Sequence, residues 1–123
     1  MANIHKEEVQ MDKNAKEVFA ARATIMKALA HPTRLFIVDE LSRGERCVRE
    51  IQTMIGDDLS TISKHLSVLR AASLVRDEKR GTQVFYTLSR PCVMNFFSCI
   101  EKIIHDQARE RLSLVGGGRR GEE

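Results

Sequence analysis

A chain of 123 residues that is 42% apolar but only 5% aromatic has room for one compact domain with a mostly aliphatic core. It contains no run of about 18 apolar residues, and the stretch from Met1 to Lys16 is charged, which argues against a membrane span or a secretory signal and for a cytoplasmic protein. The net charge of +3 is modest, yet Ser60 to Arg90 carries Lys64, Arg70, Arg76, Lys79, Arg80 and Arg90 against only Asp77 and Glu78, a local excess larger than the whole-chain total that points to a polyanionic partner.

Residues 1–12 and the glycine-rich end, 116–123, are expected to be flexible tails around a single domain over 13–115. The first helix is predicted from about Lys13 to Leu29, with Val18, Phe19, Ile25, Met26 and Leu29 as its apolar stripe. Ala30-His31-Pro32-Thr33 interrupts it. Pro32 suits the first turn of a second helix, where its missing N–H leaves no gap, and Leu35, Val38 and Leu41 should turn inward before the helix ends near Gly44. His31 then stands at a helix start, a capping or solvent-facing position. Cys47-Val48-Arg49-Glu50 has the spacing of a capping box, with cysteine in the usual place of serine or threonine, and begins a short third helix that reaches about Ile55.

Gly56-Asp57-Asp58 makes the turn into a fourth helix capped by Asp58, and helices three and four together read as a helix-turn-helix. In this fourth helix Leu59, Ile62, Leu66 and Leu69 recur at helical spacing and should be buried, while Ser60, Ser63, Lys64 and Ser67 fall on the other side. Small hydroxyls allow a helix backbone to enter a DNA groove closely, and Lys64 and His65 add donors for phosphates and base edges. Two β-rich runs follow, Leu74 to Glu78 and Gln83 to Leu88, joined by Lys79-Arg80-Gly81-Thr82 as a hairpin with a basic tip. Pro91 opens a long final helix with Val93, Phe96, Phe97, Ile100, Ile103 and Ile104 on one broad stripe, too apolar to leave in water. The expected fold is mainly α with a small β-hairpin: a winged helix-turn-helix flanked by N- and C-terminal helices that form a homodimer interface. Two recognition helices related by a two-fold axis would then enter successive major grooves about 34 to 36 Å apart, with the hairpin tips on the flanking backbone or minor groove.

At Ala30-His-Pro-Thr-Arg-Leu35, Glu45-Arg-Cys-Val-Arg-Glu-Ile51, Ser60-Thr-Ile-Ser-Lys-His-Leu-Ser-Val-Leu-Arg70 and Arg80-Gly-Thr-Gln-Val-Phe-Tyr86 the chain resembles the ArsR/SmtB family of bacterial repressors. The resemblance implies a homodimeric winged-helix repressor that leaves double-stranded operator DNA when a metal, metalloid or oxidant binds. It also implies that Ser60, Thr61, Ser63, Lys64 and His65 face the major groove and that Lys79 and Arg80 lie on the wing. DNA binding would need no cofactor. Arsenic-sensing relatives often carry Cys-Val-Cys at the start of the third helix, where this chain has Cys47, Val48 and Arg49. Zinc-sensing relatives place Asp, His, His and Glu or His along the last helix, where this chain has Cys92, Cys99, His105 and Asp106. Neither pattern is reproduced.

The three cysteines, Cys47, Cys92 and Cys99, are a sound donor set for As(III) or a related thiophilic metal(loid) acting as inducer. If Cys92 and Cys99 are both helical they lie about 10 Å apart along the axis, too far for one ion or one disulfide. A closed site therefore needs either a non-helical Cys92 or a thiol from the second subunit. Some arsenic-responsive relatives use cysteines near the start of the final helix and one to two turns into it, an arrangement similar to Cys92 and Cys99. A persulfide- or oxidant-sensing repressor with a dithiol switch would use the same residues, and Cys99, at the edge of an apolar stripe, also reads as a small core residue. A winged-helix module for protein contacts is the reading from a different class, to be separated by its weak salt dependence on DNA. No Cys and His stand at a spacing that suggests a nucleophile and its base, so an enzyme is not expected.

Overall fold

The computed structural model describes residues 10–115. Most of the two expected tails, 1–12 and 116–123, therefore lies outside the described residues. Helix α1 (Lys13–Leu29) begins at Asp12, whose carboxylate accepts the Ala15 N–H at 2.8 Å, so the expected flexible segment ends before this cap. α2 (Pro32–Leu41) follows at once. His31 takes extended backbone, as a residue before proline must, and its Nδ1 accepts the Thr33 N–H at 3.0 Å. β1 (Arg46–Cys47) leads into α3 (Val48–Ile55), where the Glu50 carboxylate accepts the Cys47 N–H at 2.9 Å and supplies the reciprocal half of the expected capping box. Gly56, at φ 92, ends α3 in the left-handed conformation that glycine adopts without steric cost. α4 (Leu59–Ala71) starts from Asp58, which accepts the Thr61 N–H at 3.0 Å.

β2 (Val75–Arg80) and β3 (Gln83–Leu88) form the hairpin, and β1 adds a third strand that the sequence did not suggest, in the antiparallel order β1-β3-β2. Arg46 pairs with Tyr86 and Cys47 with Phe85. The hairpin turn is also tighter than expected. Arg80 pairs with Gln83, so only Gly81 and Thr82 form the loop, and Lys79 and Arg80 belong to a strand instead of the tip. Gly81, at φ 63, permits the two-residue connection. α5 (Val93–Val115) is preceded by a turn through Pro91 and Cys92, where the Val93, Met94 and Asn95 amides bond to the Arg90, Pro91 and Cys92 carbonyls.

The chain divides after Ser89 into two compact units, the second starting at Arg90 and containing α5. The core of the first unit gathers Ile37, Val38 and Leu41 from α2, Ile51 from α3, Ile62, Leu66 and Leu69 from α4, and Val75 from β2. Two expected core residues are outside it. Leu35, 39% exposed, lies more than a quarter-turn of helix from the face that buries Ile37 and Leu41. Leu59, 47% exposed, is the first residue of α4 and precedes the turn that seats Ile62. In α1 only Ala28 and Leu29 are buried, and the rest of its predicted stripe, Val18, Phe19, Ile25 and Met26, is exposed. In the second unit Phe96, Ile100, Ile103 and Ile104 are exposed as well.

Candidate nucleic-acid interface

Once Ile62, Leu66 and Leu69 are buried on one side of α4, the opposite side is determined by helical geometry. Ser60, Ser63, Lys64 and Ser67 are exposed there, with Thr61 half-buried at the margin. The helix start is tightly organised, because the Thr61 hydroxyl and amide both donate to Asp58 and hold its carboxyl below the usual range. At the other end Arg70 bonds Asp77 of β2 at 3.0 Å, tying the end of α4 to the hairpin. The polar side chains along this face are short hydroxyls and one lysine, which can hydrogen-bond to phosphates and base edges while the backbone comes close, and exposed Val68 lies at its edge.

His65 departs from its expected place on that face. It is half-buried on the side of α4 turned to α2, with its ring 4.4 Å from that of His31, and the Arg34 guanidinium stands 3.1 Å from its Nδ1. Arg34 also donates to the Ala28 carbonyl at 2.6 Å and to the Lys27 carbonyl at 3.4 Å. One side chain thus joins the end of α1, the start of α2 and the recognition helix, a role that nothing in the local sequence signals. With a cation beside it, Nδ1 of His65 serves as an acceptor, and the neutral imidazole is favoured. Burial lowers its pKa first, and His31 and Arg34 lower it further, against a smaller opposing pull from Asp57.

The consequence for stability has a definite sign. The unfolded chain takes up a proton at His65 near the ordinary value of 6.5 while the folded chain resists it, so this contribution is present above that value and is lost as pH falls through the lower native pKa. The thermal midpoint should therefore fall as the solution is acidified below 6.5, and His65→Gln should flatten that part of the profile. Parallel profiles for the two proteins would refute the assignment.

On the sheet, Lys79 is exposed, and among the described residues it has no ion-pair partner. Arg80 is differently placed from the expectation of a basic tip, since it is bound by Glu45 and Glu78. Of the three cysteines, Cys47 is 7% exposed at the junction of β1 and α3, whereas Cys92, in the turn before α5, and Cys99, within it, are exposed. Among the described residues no three His, Cys, Asp or Glu side chains come together as a metal-binding group. Two exposed thiols suit a soft ion chemically, but the described residues of one chain do not gather a three-donor set around them. No helix among the described residues is long and apolar enough to cross a membrane.

Residues 31–77, which span α2, α3, α4 and the start of the hairpin, match the family described as bacterial regulatory protein, arsR family. The chain is 32% identical over 106 residues to the biofilm growth-associated repressor of Xylella fastidiosa, covering 86% of this chain and 90% of that protein. Among solved structures, NolR from Sinorhizobium fredii superposes with a TM-score of 0.70 at 30% identity, over 76% of this chain and 94% of that one. The homodimeric winged helix-turn-helix DNA-binding domain Mb0332 from Mycobacterium bovis also gives 0.70, at 28% identity over 83% of this chain and 94% of that one. The Xylella protein is named a repressor and Mb0332 a possible ArsR-family transcriptional regulator, neither an enzyme, and with the fold and the helix-turn-helix in place the chain belongs to the ArsR family of bacterial regulatory proteins.

Proposed function

We propose that two copies of this chain form a homodimer that binds operator DNA through α4 and the β2–β3 wing and represses transcription until exposed thiols capture As(III) or a related thiophilic metal(loid). The observation that carries the reading is the outward face of α4, where Ser60, Ser63, Lys64 and Ser67 stand opposite fully buried Ile62, Leu66 and Leu69. Dimerisation is supported by the exposed apolar side chains of α1 and α5 and by the likeness to a domain described as homodimeric. In this reading Ser60, Thr61, Ser63 and Lys64 meet the major groove, Lys79 meets backbone phosphate, and His65 braces the helix from behind.

Cys92 and Cys99 are the exposed thiols and the first ligands of the inducer site. Cys47 can join only if the β1 edge opens, so the second copy of the chain is the more direct source of a third donor. Reversing a 99:1 preference for the DNA-bound form needs about 5.5 kcal/mol of differential affinity, a scale that sulfur coordination reaches and a weak surface contact does not. A persulfide or oxidant joining the same two thiols is the competing inducer.

The test uses a fluorescent duplex selected from a random-sequence pool by the reduced wild-type protein, with binding followed by anisotropy across a salt series and then under arsenite. A steep fall of affinity with salt is expected, and salt-insensitive weak binding would favour a protein-interaction module instead. Arsenite should release wild-type protein but not Cys99→Ser. Release by a persulfide donor and not by arsenite would overturn the metalloid reading and transfer the same thiols to a dithiol switch.

A further inference from the structure

Arg80 is the terminal residue of β2, and its side chain crosses β3 to reach the far side of the sheet. Its Nη1 donates to Glu45 Oε1 at 2.9 Å and its Nη2 to Glu45 Oε2 at 2.6 Å, a two-pronged pairing with a residue that immediately precedes β1. Nε and Nη2 also donate to Glu78 Oε1, at 3.2 and 2.8 Å. Between these contacts the guanidinium lies over the Phe85 ring of β3, 4.6 Å from its centre. Four of the five guanidinium N–H groups are thereby engaged, and the one positive charge faces two carboxylates. The group is net negative and offers nothing to a phosphate.

Its geometry has a different use. With the strands in the order β1-β3-β2 and Arg46 opposite Tyr86, Glu45 stands level with Thr87, so a bond from the end of β2 runs diagonally across β3, from the rung before the Gly81-Thr82 turn back to the residue before β1. Strand alternation places Lys79 on the face opposite Arg80, clear of both carboxylates. We infer that Glu45 and Arg80 are positioning residues for the wing: they clamp the hairpin to the β1 edge without touching DNA, and so aim Lys79 at the phosphate backbone. The inference rests on the DNA-binding reading above, which treats the hairpin as a wing. An isolated surface ion pair would contribute little, but bidentate geometry, a second carboxylate and an aromatic face beneath the cation make this a network.

Two measurements test it, and the first needs no DNA. Amide hydrogen exchange in the full chain carrying Glu45→Gln should be faster over Lys79 to Val84 by about fivefold, the scale of a locally released hairpin, while the exchange of α4 stays unchanged. Wild-type exchange rates in the hairpin would overturn the clamp. The second is the salt dependence of binding to the selected duplex. Lys79→Ala should lower the logarithmic slope by about 0.9 for each lysine–phosphate contact removed. Arg80→Lys keeps the charge but cannot span two carboxylates and the ring, so affinity should drop about fivefold with the slope unaltered. Wild-type affinity for Arg80→Lys, or an unaltered slope for Lys79→Ala, would overturn the division of roles. If the wild-type protein showed no salt-dependent binding, the DNA reading itself would fall, and the exchange experiment would still report on the clamp.

Discussion

Leu66→Ala is expected to destabilise the folded chain by about 3 kcal/mol, a large part of the roughly 5 to 15 kcal/mol that holds a domain of this kind together. Leu66 has no exposed surface, and it sits on α4 between Ile62 and Leu69, which have none either. Truncation there removes apolar contact from the middle of the core and leaves a cavity that the flanking helices cannot close without shifting the recognition helix. Urea unfolding should show the midpoint moving down while the dependence on denaturant stays the same. DNA affinity should fall even where the variant remains folded, because the outward serines and Lys64 are aimed by the same packing. A loss below about 1 kcal/mol, smaller than the usual range for a buried leucine, would show that α4 is not seated as described.

Ile104→Glu on α5 should turn the protein into a monomer at concentrations where the wild type is a dimer, and should weaken binding to the selected duplex by at least about a hundredfold through loss of the second linked half-site contact. Ile104 is 59% exposed in the single chain, so a glutamate there meets water and should leave the helix intact. The same glutamate at a dimer interface would have to be desolvated among Phe96, Ile100 and Ile103 of two copies, which is prohibitive without a partner charge. Asn95→Glu, half a turn around the same helix, is the control and should remain dimeric. Sedimentation velocity reads the first effect and anisotropy the second. A dimeric Ile104→Glu protein with wild-type affinity would move the interface away from this face of α5.

The legible parts of the fold were those written in local chemistry. The bounds of α3 and α4 follow from Cys47 with Glu50, Gly56 and Asp58, each of which acts on backbone groups within four residues, whereas Asp12, expected in the flexible tail, proves to be the cap of α1. The outward face of α4 was equally legible, because Ile62, Leu66 and Leu69 specify one side of the helix and thereby the other. Leu35 and Leu59 misled for a related reason: apolar character identifies a residue that can be buried, while position on the helix decides whether it is. The apolar residues expected as stripes lie on α1 and α5 as helices, but a single chain leaves them largely exposed.

The candidate site was legible to the depth of one helix. Ser60, Ser63 and Lys64 need only the period of α4 to be placed. His65 and Arg80 have the right chemistry for DNA, and their neighbours redirect it. Arg34 reaches His65 across 31 positions and Glu45 reaches Arg80 across 35, so neither pairing leaves a trace in local spacing. The sequence by itself determined the helix-turn-helix, the hairpin and the run of basic residues along them, since caps, periodicity and charge act over a few residues. The tertiary structure alone decided which basic groups face outward and which are neutralised, because a side chain's charge is available to a partner only after the protein's own carboxylates and carbonyls have taken theirs.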